Sequence, residues 1–440
     1  MRTLVISMLA GIALLGLAAP AAAQEDTTAE TAPPVDVLQV SGLIDGVVAN
    51  ELIAAVQRTA TNGSQALVLQ VDVDGAVVDN SVMDDVLAAI DNAPVPVAVW
   101  VGPSGARLLG AAVHLLAVAD VSGMAPGSKV GHLDPSLVAP DADGAARIAP
   151  LVGASYGLTE ARELGVFDQR VTDEGIATIA NMLDALDGYS EEIDGTVITL
   201  DTTIEVVSDD GTVQRNTVAV PRFTKLGLID QLFHTVASPP VAYLMLLVGL
   251  GLLVFEFFTA GVGVAGVVGA VCALLAGHGL DALPARWWAV AVIVVSFVAF
   301  AIDVQVGIPR TWTGLGIVGT IVGSLWLFEP LPGASLRVSW ITLVAGIGGV
   351  MLSFIAGMPS MTRTRFATPT IGREWLVGAT GEVVSDVDPD GVVRVGDGEW
   401  RARTNRATPL HAGDTVRVAA IDGVTLDVEP LEGAARDYRR

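Results

Sequence analysis

The chain has 440 residues, 52% of them hydrophobic and only 16% charged, an apolar balance that fits a protein partly embedded in a membrane. Its formal net charge is −24, with 24 Lys and Arg against 48 Asp and Glu, which argues against nucleic-acid binding as a main task because phosphate contacts need a basic surface. A single cysteine, Cys272, allows no disulfide within the chain, so an exported domain here must be held by its core.

Residues 1–23 read as a secretory signal: Arg2 supplies the positive n-region, Leu4 to Leu17 the apolar stretch and Ala21-Ala22-Ala23 a cleavage site. An uncleaved first anchor is the alternative. Residues 24–35 are acidic and rich in Thr and Pro, a disordered spacer.

From 36 to 187 short β-branched runs alternate with helical patterns. Val37–Val40 is a strand, Asp45–Thr61 a helix, Ala66–Val73 a strand buried on both faces, and Asn80–Ala93 a helix. Val95–Val101 is another buried strand, Ala106–Ala119 a small-residue helix and Val121–Met124 a short strand. This order implies a parallel sheet with right-handed crossovers. Residues 158–168 predict a helix with a glycine stop, and Thr172–Leu186 one more. The 188–237 segment predicts a hairpin, Gly195–Val207 against Val213–Val220. Phe223–Val236 then reads as a helix, either lying along the membrane surface or simply connecting.

Five apolar blocks follow within 238–358, at 239–258, 264–283, 286–303, 313–329 and 338–357. Frequent glycines suit close helix packing. Glu256 and Asp303 read as carboxylates near span ends, with an ion path as the sharper alternative. Export of the N-terminal part and five spans put the C-terminus in the cytoplasm, in keeping with Arg310 and with Arg363, Arg365 and Arg373 of the basic 359–373 linker. Residues 374–430 show five short strands with tight turns, a small closed barrel of the OB type, before the 431–440 tail. Only Trp375 and Trp400 could form a stacking platform, so a protein-interaction barrel is the better reading.

Several segments carry a resemblance. They are Ala93-Pro94-Val95-Pro96-Val97, Gly102-Pro103-Ser104-Gly105-Ala106-Arg107, Met124-Ala125-Pro126-Gly127 and the run from Leu158 to Val166. In the barrel region, Leu376-Val377-Gly378, Gly381, Asp386–Val395 and Gly423–Pro430 add to them. Together, over nearly the whole mature chain, they resemble the long form of the NfeD family, membrane-bound serine proteases of the ClpP class. The resemblance implies an α/β Clp/crotonase-like N-terminal domain, an α-helical transmembrane bundle and an OB-fold barrel. It also implies a Ser nucleophile, a Lys general base and an oxyanion turn of backbone N–H groups.

On that pattern the nucleophile belongs in the segment that here reads Leu108-Leu109-Gly110-Ala111-Ala112, so Gly110 stands at its position. The oxyanion turn reads Asp72-Val73-Asp74-Gly75-Ala76, with Ala76 in place of the second glycine. The interval from Gly131 to Gly157, where the base is expected, holds no Lys; Arg147 is too basic to serve. The chain has only Lys129 and Lys225, and Lys129 follows Ser128 directly, pointing to the other face. Ser104 and Ser122 are alternative hydroxyls, and Ser104, His132 and Asp134 are the residues of a rebuilt triad. His114 reads as a satisfied, partly buried imidazole. No cofactor is implied, and no His/Cys/carboxylate cluster has metal-ligand spacing.

The expectation is therefore an NfeD-like membrane protein with an inactive ClpP-class domain. The resemblance implies a stomatin- or flotillin-like membrane partner and, by analogy with Clp-like domains, a homo-oligomer. The alternatives are an active serine endopeptidase with a relocated nucleophile, and solute transport through the bundle.

Overall fold

The computed structural model describes residues 32–139, 142–167, 175–193, 195–207, 213–258, 263–306, 310–331, 336–360, 373–405 and 408–431. The expected signal, most of the spacer and nearly all of the basic linker and tail lie outside the described residues. The chain forms two compact units. One holds the soluble sheet with the start of the first membrane helix and the segments 273–287 and 326–339; the other holds the remaining membrane helices and the barrel.

The soluble part runs β1 (Val35–Ile44), α1 (Gly46–Thr61), β2 (Ala66–Ala76), α2 (Asn80–Asp91), β3 (Val97–Val101), β4 (Arg107–Leu109), β5 (Val121–Met124) and β6 (Lys129–Gly131). It continues with α3 (Ala142–Ile148), β7 (Ser155–Tyr156), α4 (Leu158–Glu163) and α5 (Ile179–Leu186). Two hairpins follow, β8 (Ser190–Ile193) with β9 (Thr196–Thr199) and β10 (Thr203–Val207) with β11 (Val213–Thr217), then β12 (Pro221–Thr224) and α6 (Leu228–Val236).

The long strands β1 and β2 organise everything else. Along its first half β2 pairs with β3, which pairs with β5; along its second half it pairs with β4, followed by β6 and β7. The sheet thus forks. Alternate residues of β1 to β3 feed two cores. Leu38, Val40, Leu69, Val71, Val99 and Val101 enter the larger. Val35, Val37, Val68, Ala98 and Trp100 enter the other. Burial on both faces explains why these strands are apolar without alternation. The α1 helix starts where Asp45 Oδ1 accepts the Val48 amide at 2.9 Å, and its Val48, Leu52, Ala55 and Val56 face the core.

Four expectations change. Ala106–Ala119 is not one helix: three residues form β4, and Gly110–Leu116 is a buried 3-10 turn. Apolar runs this short do not separate a strand from a helix by periodicity. Gly195–Val207 is two strands in two hairpins, because Thr196–Thr199 pairs back onto β8. The Phe223–Val236 helix begins only at Leu228, since Phe223 belongs to β12, which pairs in parallel with β1. Of the expected Thr172–Leu186 helix, the structure shows Ile179–Leu186, and the start of the expected range falls partly outside the described residues.

The membrane helices are α7 (Pro239–Phe258), α8 (Val264–Ala282), α9 (Trp287–Val306), α10 (Thr311–Leu325) and α11 (Trp340–Leu352), the last prolonged by a π turn over Ser353–Gly357. Four are long and apolar enough to cross a membrane, and α10 is shorter at 15 residues. Glycines permit the close packing: a Cβ on Gly269 would lie 3.0 Å from the Gly249 carbonyl oxygen, and one on Gly316 2.6 Å from the Phe300 ring. Asp303, near the end of α9, is 6% exposed and accepts the Thr313 hydroxyl at 2.5 Å. Glu256 accepts the Gly266 amide at 3.2 Å.

The C-terminal strands β13 (Thr380–Ser385), β14 (Asp390–Val395), β15 (Gly398–Arg403), β16 (Thr415–Asp422) and β17 (Thr425–Pro430) close a barrel in the order β13-β14-β15-β17-β16. Val383, Val393, Val395, Val416, Val418, Leu426 and Val428 fill it. Trp375 is 61% exposed, and Trp400 lies under the Arg373 guanidinium at 5.0 Å.

Candidate functional site

Three parallel strands lead to the expected site residues. Val73 pairs with Leu108, and Leu108 with Val130. Gly75 comes two residues after Val73 on β2, while Gly110 directly follows β4 and His132 directly follows β6. All three have left-handed backbone, with φ of +148°, +66° and +52°, and His132 is the one non-glycine residue with positive φ among the described residues. Such values are uncommon for L side chains and gather at functional sites. Gly110 is buried and opens the 3-10 turn, so the place of the implied nucleophile offers backbone alone.

The turn beside it is held by ions. Asp72 Oδ1 accepts the Arg107 amide at 2.9 Å, and Asp74 pairs with the Arg107 guanidinium at 2.9 Å. Burial raises the Asp74 carboxyl above its usual range; Arg107 opposes this and Asp72 adds to it. A Cβ on Gly75 would lie 3.5 Å from Leu331, so the segment after α10 borders the turn. Ala76 sits opposite Ile44 at the end of the β1–β2 pairing.

The alternative residues are not assembled. Ser104 is exposed, in the turn after the Gly102–Pro103 peptide, and precedes β4; His132 follows β6. The paired β4 and β6 strands lie between them, about 10 Å of strand at ~3.3 Å per residue. Asp134 Oδ1 accepts the Ser136 amide at 2.9 Å, a turn role. Ser122 is buried on β5, and Ser128 is buried and donates to the Pro103 carbonyl at 3.3 Å, whereas Lys129 is exposed. His114 is 2% exposed, and its Nε2 lies 3.0 Å from the Asp134 carbonyl oxygen. Where the resemblance puts a base, Arg147 donates to the Leu116 and Ala117 carbonyls at 2.5 and 3.2 Å and so ties α3 to the 3-10 turn. No group of three potential metal ligands occurs among the described residues.

A second site escaped sequence reasoning. His234 Nδ1 meets Asp45 Oδ2 at 2.8 Å across 189 residues, and His234 Nε2 reaches the Ser41 carbonyl oxygen at 3.1 Å. The bond to Asp45 raises the His234 pKa; burial opposes it. His234 and Ser41 border a cavity of about 670 Å³ between β1, α6 and the Leu336–Arg337 segment. Asp45 falls at the start of one expected helix and His234 inside another; no spacing joins them.

Residues 240–358 match the family described as the NfeD integral membrane domain, and 373–430 the NfeD-like C-terminal, partner-binding domain. A similar protein is the membrane-bound protease PH1510 of Pyrococcus horikoshii, 25% identical over 99% of this chain and 100% of that protein. Another is the membrane protein NfeD1b of Bacillus subtilis, 21% identical over 88% of this chain and 89% of that one. Among solved structures, the 1510-N membrane protease specific for a stomatin homolog from Pyrococcus horikoshii is 18% identical and covers 46% of this chain and 98% of its own, with a TM-score of 0.35. The chain is thus an integral membrane protein that carries an NfeD membrane domain over 240–358 and an NfeD-like C-terminal domain over 373–430, and it is similar from end to end to a membrane-bound protease.

Proposed function

We propose that this chain is a membrane-organising scaffold whose ClpP-like domain binds polypeptide or its own copies and no longer cleaves. The observation that carries this is Gly110: it directly follows β4, where the family pattern calls for a serine, and it has no side chain to attack with. The cation nearest in sequence to the implied base position, Arg147, is engaged by two carbonyls. The separation of Ser104 from His132 speaks against a relocated triad.

The C-terminal barrel presents the partner surface. The description of its family as partner-binding supports this, and the resemblance points to a stomatin- or flotillin-like membrane protein. Five apolar helices among the described residues, with the 15-residue α10 counted as a span, support opposite sides for the two soluble parts, with the Clp-like domain outside and the barrel in the cytoplasm. The degenerate site also suits a homo-oligomer that keeps its assembly surfaces without chemistry.

The test is peptidase activity of the full-length protein in nanodiscs, with fluorophosphonate labelling as a second readout. The proposal expects no turnover and no adduct. An adduct lost on Ser104→Ala sinks it.

A further inference from the structure

We propose that the cavity between β1 and α6 holds the headgroup of an anionic phospholipid. The inference does not depend on whether the Clp-like domain cleaves.

Position is the first argument. The α6 helix is fixed to the end of a membrane span: the Phe233 ring meets His278 of α8 edge-on at 4.8 Å, and a Cβ on Gly279 would run into the Val236 carbonyl. Two residues after α6, α7 begins at Pro239, which itself lines the cavity. The site therefore sits where the chain enters the bilayer.

The outer face of α6 is the second. Leu228, Ile229 and Leu232 are 87%, 70% and 49% exposed. An apolar face of this kind beside a span is covered when the helix lies at the headgroup–acyl boundary.

Charge is the third. Of the ionic groups around the cavity, Glu51 is paired with Arg58 at 2.6 Å and Asp74 with Arg107 at 2.9 Å. Asp45 favours the charged form of His234. Lys225 and Arg337 line the cavity with no hydrogen bond or ion pair among the described residues. A chain of net charge −24 with two lysines thus places one of them, beside an arginine, in a positive pocket at the membrane boundary. That is complementary to a phosphate ester.

An extended peptide is the competing occupant, because β12 leaves β1 after Leu38 and residues 39–43 border the cavity. His234 argues against it. The imidazole bonds the Ser41 carbonyl and lies 3.5 Å from where a Cβ on Gly42 would stand, so it already occupies that strand edge.

Native mass spectrometry of the full chain in detergent, titrated with phosphatidylglycerol or phosphatidylcholine, tests this. We expect one saturable phosphatidylglycerol adduct and at least tenfold weaker phosphatidylcholine. Lys225→Gln with Arg337→Gln should weaken the adduct about 30-fold, about fivefold for each cation near the bilayer surface. The swapped pair Lys225→Arg with Arg337→Lys should retain it. Lys129→Gln, an exposed lysine on β6, should leave it unchanged. Equal binding of the two lipids, or an equal loss from Lys129→Gln, overturns the proposal. So does inorganic phosphate binding as tightly as the lipid, which would mean a free-anion site, or displacement by an acidic peptide that protects β1 from hydrogen exchange. If the double glutamine variant fails to fold, the lipid selectivity and the swapped pair still decide.

Discussion

Gly110 offers the sharpest test of the degenerate-site reading. Its φ of +66° puts it in the left-handed region, where an L side chain costs about 1–2 kcal/mol. Alanine also removes freedom from the unfolded chain, which returns about 0.4–1 kcal/mol. Gly110→Ala should therefore destabilise the end of β4 by about 1 kcal/mol. Gly110→Ser buries a hydroxyl as well, and an unsatisfied buried hydroxyl adds about 1–3 kcal/mol. Hydrogen exchange over residues 105–117 of the full chain in nanodiscs reads this directly. Rates should rise about fivefold for alanine and about 30-fold or more for serine, at ~1.4 kcal/mol per tenfold. Fluorophosphonate labelling of Gly110→Ser should stay at background, since no base stands ready. A serine variant that exchanges as slowly as the wild type and also labels would refute the reasoning: the hydroxyl would then have found a ready-made partner.

Asp45→Ala should remove both the α1 cap, about 1 kcal/mol, and a charged hydrogen bond to His234, about 1.5–3 kcal/mol, lowering the thermal midpoint in detergent by several degrees. Asp45→Asn keeps the cap. Because the folded His234 pKa lies above 6.5, the stabilisation is full below that pH and fades as pH rises through the raised value; the gap to Asp45→Asn should be wide at pH 6 and narrow at pH 9. Asp120, pushed up to about 7 by burial against the hydrogen bond it accepts from the Val97 amide, behaves oppositely to an ordinary paired carboxylate. Its proton is held more tightly in the folded chain, so stability falls as pH climbs from about 4 to about 7, by at most about 4 kcal/mol. Asp120→Asn should flatten that slope in a melting series from pH 4 to 8; an unchanged slope contradicts the assignment. Gly131→Ala should cost about 3 kcal/mol or more and expose the soluble domain to protease, since its Cβ would meet the Ala154 carbonyl where β6 pairs with β7.

Much of the architecture was legible because burial leaves a strong compositional mark. Strands such as Ala66–Ala76 and Val97–Val101 are apolar on both faces, and the membrane helices are long apolar runs. Short elements leave no such mark. The three residues of β4 and of β6 have no period, yet these strands lead directly into Gly110 and His132. Motif spacing found Gly110 but could not show its left-handed backbone, which depends on the turn that follows. The Asp45–His234 bond joins residues 189 apart, and β12 joins β1 from the far end of the domain; loop closure over such lengths writes nothing local into the chain.

The β12–β1 pairing also has a mechanical side. β12 lies alongside β1 over Val35–Leu38 and is pinned by Arg222, whose Nε meets the buried Asp36 at 2.9 Å. Only residues 225–227 separate β12 from α6, and only 237–238 separate α6 from the first span. A tug from the first span would meet the His234 bonds to Asp45 and Ser41 that hold α6 to the sheet before it reached the trailing end of β12.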